Sequence, residues 1–329
     1  MQRSPESELA AALEAVRAAC RAVAAVGPPE AFGTGAVIDK GAAGPVTVAD
    51  LASQVAAARA LRASQGASVA IVGEESAEEA ESLGGHGLLG VVAEVLRRTG
   101  MSIDAAGVRD ALAAGTHAGG PSGRFWTIDP LDGTKGYLRG GQFAVAIALV
   151  EDGKPVVGAL GLPRLSAAGT ANGEGVVAWA MRRAGAFQEA IDGGSRRPIR
   201  APGWVPGSVI RLAGSVERGH SASDSLEAAF SALGPVEPVR ADSQAKYALV
   251  ARGDADAYVR RSPTLGYREW IWDHAAGALV AGEAGCTVTD ALGQELDFSR
   301  GRRLEDRSGI LCASPELHVR AVGVIASMT

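Results

Sequence analysis

An apolar strand that ends on two carboxylates restricts what this chain can become. Residues 125–158 read FWTIDPLDGTKGYLRGGQFAVAIALVEDGKPVVG. Phe125 to Ile128 has strand composition, and Asp129 and Asp132 follow it. The run from Gln142 to Pro163 then reads as two strands joined by an Asp-Gly turn. A carboxylate at a buried strand end is costly unless something compensates its charge. Pro130 disfavours helix at Asp129, and Gly133 permits backbone conformations that other residues resist. Such a bend can aim both carboxylates and the intervening carbonyl at one point. Oxygen-only ligands suit Mg²⁺. The plainer alternative is a turn with Asx-type hydrogen bonds, and this segment alone leaves both open.

Other acids shift the balance. Glu74 and Glu75 follow the apolar run Val69 to Val72, and Asp273 precedes a helical stretch in WDHAAG. Taken singly, Glu74 reads as an exposed strand end and Asp273 as a helix N-cap. Three separate acids following apolar segments make a coincidence that a divalent cation would remove.

The rest of the chain supplies layers for such a site. Ser7 to Val26 has apolar residues at helical spacing and stops at Gly27-Pro28-Pro29. PVTVADLASQVAAARALRAS reads as a short strand entering a helix around Asp50. Glu78 to Arg124 is helical but interrupted by GGHG and HAGGPSG, and is expected to be an insertion with flexible joints, a candidate lid. Pro and Gly punctuation between Arg196 and Ser208 suggests a boundary, giving domains 1–200 and 201–329. Beyond it, strand-like SVIRLAGS, AYVRR, CTVTD and GILCAS alternate with helical runs, an α/β pattern.

Composition narrows the function classes. A net charge of -5 without a basic stripe argues against nucleic acid. Cys20, Cys286 and Cys312 are scattered and odd in number, which suggests neither a disulfide framework nor a zinc site. No apolar run reaches membrane-spanning length, and the acidic N-terminus does not resemble a signal peptide. A soluble cytoplasmic protein without a membrane partner is expected. Only four lysines occur, Lys40, Lys135, Lys154 and Lys246, although arginine is abundant.

Asp50 in PVTVAD, Glu74 in VGEES, WTIDPLDGT and WDHAAG occur in the order found in the lithium-sensitive, magnesium-dependent sugar and nucleotide phosphatases. The chain resembles the 3'(2'),5'-bisphosphate nucleotidase branch of that inositol monophosphatase superfamily. The central segment Gly123 to Pro163, GSVERGHS and DSQAKYALVARGDADAYVR carry the closer likeness.

The resemblance implies an α+β and α/β, layered αβαβα sugar-phosphatase-like fold with two sheets sandwiched between helices. It implies a Mg²⁺-dependent phosphatase that converts adenosine 3',5'-bisphosphate to AMP, and acts also on 3'-phosphoadenylyl sulfate. Its metal ligands would be Glu74, Asp129, Asp132 and Asp273, with the Leu131 carbonyl. Asp50 and Thr134 would orient and deprotonate the attacking water, since a hydroxyl can both donate and accept. Two or three Mg²⁺ ions are implied, two of them roughly 3.5–4 Å apart in an in-line displacement, with Li⁺ as an inhibitor.

Ser243 and Lys246 would grip the distal phosphate from a helix face, Arg260 would add a fork donor, and His220 would contact adenosine. For His220 an ordinary loop histidine stays open, as does a solvated lysine for Lys135. Glu75 is expected to support the site from behind, His274 to pack, and Asp242 to lie near the ligand. LGLPRL departs from the Cys-Pro-Asn common in the family at that point, and Gly169 to Gly175 looks shortened; both bear on the nucleotide pocket. The rival readings are an inositol monophosphatase with the same chemistry and a non-catalytic Mg²⁺/nucleotide-binding regulator. Oligomeric state is not legible.

Overall fold

The computed structural model describes residues 3–27, 37–39, 45–167, 174–216, 222–261, 267–304 and 309–328. Expectations for His220, and for most of Gly169 to Gly175, lie outside them.

A seven-stranded sheet runs in the order β3 (Ile71–Gly73), β4 (Arg124–Asp132), β5 (Ala144–Glu151), β6 (Lys154–Leu162), β7 (Val176–Met181), β8 (Gly185–Ala190), β9 (Arg197–Ile199). β3 and β4 are parallel and every later pair is antiparallel. β5 and β6 form the expected hairpin. Asp152 and Gly153 both take positive φ, as the two-residue turn that matches strand twist requires.

The apolar run of β5 is continuous because both faces are covered. Val145, Ile147 and Leu149 pack with α1 (Pro5–Val26) and α2 (Val48–Gln65). Ala144, Ala146, Ala148 and Val150 join the cluster of α7 (Ala245–Arg252) and α8 (Ala275–Glu283). Small residues on that second face let α8 lie close: a Cβ at Gly158 would meet the Ala276 carbonyl oxygen at 3.0 Å.

The second sheet has the order β11 (Val236–Arg240), β10 (Ile210–Gly214), β12 (Ala257–Arg261), β14 (Gly309–Ala313), β13 (Thr287–Asp290). Its outer face is covered by α6 (Ala222–Phe230) and α9 (Pro315–Ala326). The layers are therefore helix, sheet, helix, sheet, helix, as expected. A separate two-stranded ribbon, β1 (Val37–Asp39) with β2 (Pro45–Thr47), leads into α2.

The segment expected to be a lid is built differently. α3 (Ala77–Arg98) runs unbroken through GGHG, and α4 (Ala105–Ala113) follows it. Leu89, Val92, Leu96, Val108 and Leu112 are buried against α2. Glycines weaken a helix by only about 1 kcal/mol each, which this apolar face offsets. The stretch is part of the core, and only the first turn of α3 reaches the cavity described next.

Candidate active site

Sheet register assembles the acids. The ladder between β4 and β5 shifts between Asp129 and Asp132, so three steps on β4 oppose two on β5. Such a bulge bends the strand and re-aims its side chains. Gly133 follows in the left-handed region at φ 87°, and starts α5 (Thr134–Leu138). Ser53 Oγ holds the bulge by donating to the Pro130 carbonyl at 2.5 Å. Parallel pairing sets Gly73 beside Ile128, so Glu74 lies next to Asp129 and its N–H donates to the Ile128 carbonyl at 3.2 Å. The Glu74 and Asp129 carboxyls lie close enough to shift one another.

Asp273 arrives from the other side of the cavity. It stands one residue before the His274 N-cap of α8, where the helix dipole favours negative charge. It is not the cap itself. Gln244 ties the halves together: its N–H donates to Asp132 at 2.5 Å, its side chain to the Trp272 carbonyl at 2.9 Å, and its Oε1 accepts from Gly277 at 3.1 Å.

The charge state shows what these acids need. Burial first, then repulsion from Glu75, Asp273 and Asp50, pushes Glu74 well above the carboxylate range. Asp129 is pushed up likewise by burial and by Glu74, Asp132 and Asp273. Burial also raises Asp132, against the pull of Lys246 and Arg260, and lifts Asp273 to about 6. Asp129 Oδ1 is buried without a hydrogen-bond partner. All-oxygen donors, mutual repulsion and an orphaned carboxylate oxygen fit a hard divalent cation. Glu74, Asp129, Asp132 and Asp273 are the side chains that could hold it. Leu131 is buried in the core, which leaves its carbonyl as the part available to a site.

Asp50 is the third residue of α2, and its carboxylate is fixed by local sequence. The Thr47 N–H and hydroxyl both donate to Asp50 Oδ2, at 2.8 and 2.6 Å, completing a capping box. Asp50 Oδ1 instead accepts from Thr134 Oγ1 at 3.1 Å. Burial lifts Asp50 to about 6 despite these bonds.

A cavity of about 1240 Å³ opens beside the acids and also takes in Ser243, Lys246 and Arg260. Ser243 is not on the helix face: it precedes α7 at φ 67°, and its hydroxyl accepts from the Ala245 N–H at 3.2 Å. Lys246 lies in the first turn of α7, buried, 5.2 Å over the Tyr258 ring, with Nζ donating to the Ala241 carbonyl at 3.3 Å. Arg260 pairs with Glu269 at 3.0 Å and approaches Asp273 at 3.9 Å. Asp242 pairs with Arg139 at 2.7 Å and accepts from the Val216 N–H at 3.2 Å. Lys135 is exposed on the cavity wall. Glu75 is buried, with its backbone clasped by the Gln54 amide at 2.5 and 2.8 Å. His274 packs as expected, fully buried, with Nδ1 at 2.9 Å from the Tyr247 hydroxyl.

Sequence reading missed Thr47, Gln244, Glu269 and Arg302. The Thr47–Asp50 spacing is a capping signal that could have been found; Gln244 and Arg302 contact residues remote in sequence, and Glu269 sits in no recognisable motif. Glu269, Asp273 and His274 offer ligand atoms within 4.8 Å of one another. There the Arg260 guanidinium already supplies the cation.

Two mixed sheets between three helical layers, with acids gathered at the ends of β3 and β4 and at the starts of α2 and α8, define the layered sugar-phosphatase class of fold. Solved structures share it: an IMPase from Thermotoga maritima has a TM-score of 0.64 at 18% identity, covering 97% of each chain. CysQ from Bacteroides thetaiotaomicron has a TM-score of 0.60 at 19% identity, covering 94% of this chain and 97% of its own. The inositol monophosphatase family matches residues 5–327, and the chain belongs to it. Among curated relatives, a 3'(2'),5'-bisphosphate nucleotidase of Oryza sativa is 40% identical over 94% of this chain and 91% of its own. A 3'(2'),5'-bisphosphate nucleotidase 1 of Candida albicans is 36% identical over 86% and 85%.

Proposed function

We propose that the chain is a Mg²⁺-dependent phosphatase that removes the 3'-phosphate of adenosine 3',5'-bisphosphate, giving AMP and phosphate, and that also accepts 3'-phosphoadenylyl sulfate. One observation carries this reading: a buried acid centre and two cations, Lys246 and Arg260, open into the same cavity. A substrate with two anionic groups uses both ends. The nucleotidase names of relatives similar over most of the chain support the same choice.

Glu74, Asp129, Asp132, Asp273 and the Leu131 carbonyl would hold the metal. Bound magnesium supplies Lewis-acid charge for activating water and neutralising the leaving oxygen. Asp50 is ionised at neutral pH, since it is lifted only to about 6. With Oδ2 occupied by Thr47, it accepts a proton through Oδ1 and the Thr134 hydroxyl. Lys246 and Arg260, with Ser243, bind the second phosphate, and His220 contacts the adenosine. Inhibition by Li⁺, two or three metal ions per site and a cytoplasmic location complete the reading. Among the described residues no helix is long and apolar enough to cross a membrane.

A phosphate-release panel with and without Mg²⁺ is the test. Faster turnover of inositol 1-phosphate than of adenosine 3',5'-bisphosphate would overturn the substrate assignment. Unchanged release by both Asp50→Asn and Asp129→Asn would overturn the site and favour a non-catalytic regulator.

A further inference from the structure

Glu269 is fully buried, yet its position four residues before Asp273 gives no hint of a task. A carboxylate removed from water must be compensated by a nearby positive charge or donors. Two groups face it. Arg260 stands 3.0 Å away, and His274 Nε2 lies 3.5 Å from the same oxygen, Oε2. The Tyr247 hydroxyl engages the opposite nitrogen of His274 and so fixes the ring's orientation. Burial would raise Glu269, but His274 and Arg260 outweigh it and hold the carboxyl below its ordinary range. With the Arg260 guanidinium 3.0 Å away, Glu269 holds its negative charge at a defined place.

That charge sets where Arg260 can be. The guanidinium has two acids within reach, at 3.0 Å for Glu269 and 3.9 Å for Asp273. Without Glu269, it would close on Asp273, the acid expected to face the metal. Held back, Arg260 lines the cavity beside Lys246, whose ammonium feels its charge. A guanidinium has five donors in a fixed plane, so anchoring one edge orients the other.

We propose that Glu269 is the positioning residue for second-phosphate recognition: it holds Arg260 off Asp273 and turns the free guanidinium edge toward the site shared with Lys246. This inference rests on the bisphosphate reading above. Discrimination between bisphosphate and monophosphate substrates then depends on a side chain that touches neither.

The test compares adenosine 3',5'-bisphosphate with 3'-AMP, which lacks the second phosphate. Glu269→Gln is expected to raise KM for the bisphosphate about tenfold, as loss of a charge-assisted contact does, with kcat within about twofold. At saturating Mg²⁺ its 3'-AMP kinetics should match the wild type, while its Mg²⁺ midpoint rises as Arg260 closes on Asp273. Glu269→Asp keeps the charge and withdraws it by one carbon, which protects folding; about a threefold rise in bisphosphate KM alone is expected. Equal losses on both substrates, or an unchanged bisphosphate KM in either variant, would overturn the proposal. A wild type with no bisphosphate preference would instead remove the functional reading and this inference with it. Preference in the wild type that survives in Glu269→Gln removes the inference alone.

Discussion

The Thr134 hydroxyl donates to Asp50 Oδ1 at 3.1 Å, joining the start of α5 to the first turn of α2 across 84 residues of sequence. The Leu131 carbonyl is a second acceptor at 3.2 Å, so one hydroxyl proton serves two acceptors and the lone pairs stay available to water. Thr134→Val keeps the shape and removes this switch. Its kcat should fall about 10²–10³-fold, in the range for a lost general-base partner, with KM within about threefold. Thr134→Ser should retain most activity. Steady-state kinetics check both, and a loss under about fivefold for valine would remove Thr134 from the reaction.

How much of this was legible depends on the range of each interaction. The β5–β6 hairpin declares itself through Asp152-Gly153, and α1 through its spacing, because both are local. The acids were visible as charges at strand ends. Their convergence was expected from the family resemblance, because no local pattern shows the bulge at Pro130–Leu131 or the parallel pairing of β3 with β4. GGHG misled because glycine signals a joint only when no apolar face overrides it, and α3 has such a face. Glu269 and Gln244 sit in no recognisable motif; Gln244's partners lie at the end of β4 and the start of α8, and Glu269's on β12 and at the α8 N-cap.

The acid cluster predicts how the metal-free protein responds to pH. A carboxylate raised in the folded state binds protons more readily folded than unfolded, so stability is highest in acid. It falls as pH rises from about 4 through about 6 for Asp50 and Asp273, and further for Glu74 and Asp129. In EDTA, Tm should be lower at pH 8 than at pH 5, and saturating Mg²⁺ should remove most of the difference. Asp129→Asn should raise the metal-free Tm at pH 8 and lose the Mg²⁺-induced shift. Thermal melts show this directly; a pH-independent metal-free Tm would contradict it.

Lys246 titrates in the opposite sense. Burial lowers its ammonium from 10.5 to about 8, outweighing the pull of Asp132. Its cost to stability is complete below pH 8 and disappears above pH 10.5. Lys246→Met should therefore stabilise the ligand-free protein near pH 7 by about 1–3 kcal/mol, while raising bisphosphate KM at least about tenfold. In the wild type that KM should climb as pH passes 8, and in the variant it should stay flat. Denaturant melts and KM–pH profiles test the two halves separately.

Arg302 bridges the two segments that bring Glu74 and Asp273 to the cavity, the end of β3 and the start of α8. Its guanidinium donates to the Gly73 carbonyl at 2.6 Å and to those of Gly115 and His117 at 3.2 Å, and lies 4.9 Å over the Trp272 ring. Gly73 immediately precedes Glu74, and Trp272 immediately precedes Asp273. One planar group thus holds the Gly73 backbone and the Trp272 ring, each a single residue away from a carboxylate proposed to hold the metal. Lysine keeps the charge but has neither the fork nor the flat face. Arg302→Lys should raise the Mg²⁺ midpoint about five- to tenfold, as loss of support behind a metal ligand does, while kcat and bisphosphate KM recover at saturating Mg²⁺. Mg²⁺ titrations followed by calorimetry and by Tm separate this from a general loss of stability. A lowered Tm with an unchanged midpoint would make Arg302 a clamp of the fold alone, and the distance between Glu74 and Asp273 would then be set by the sheets themselves.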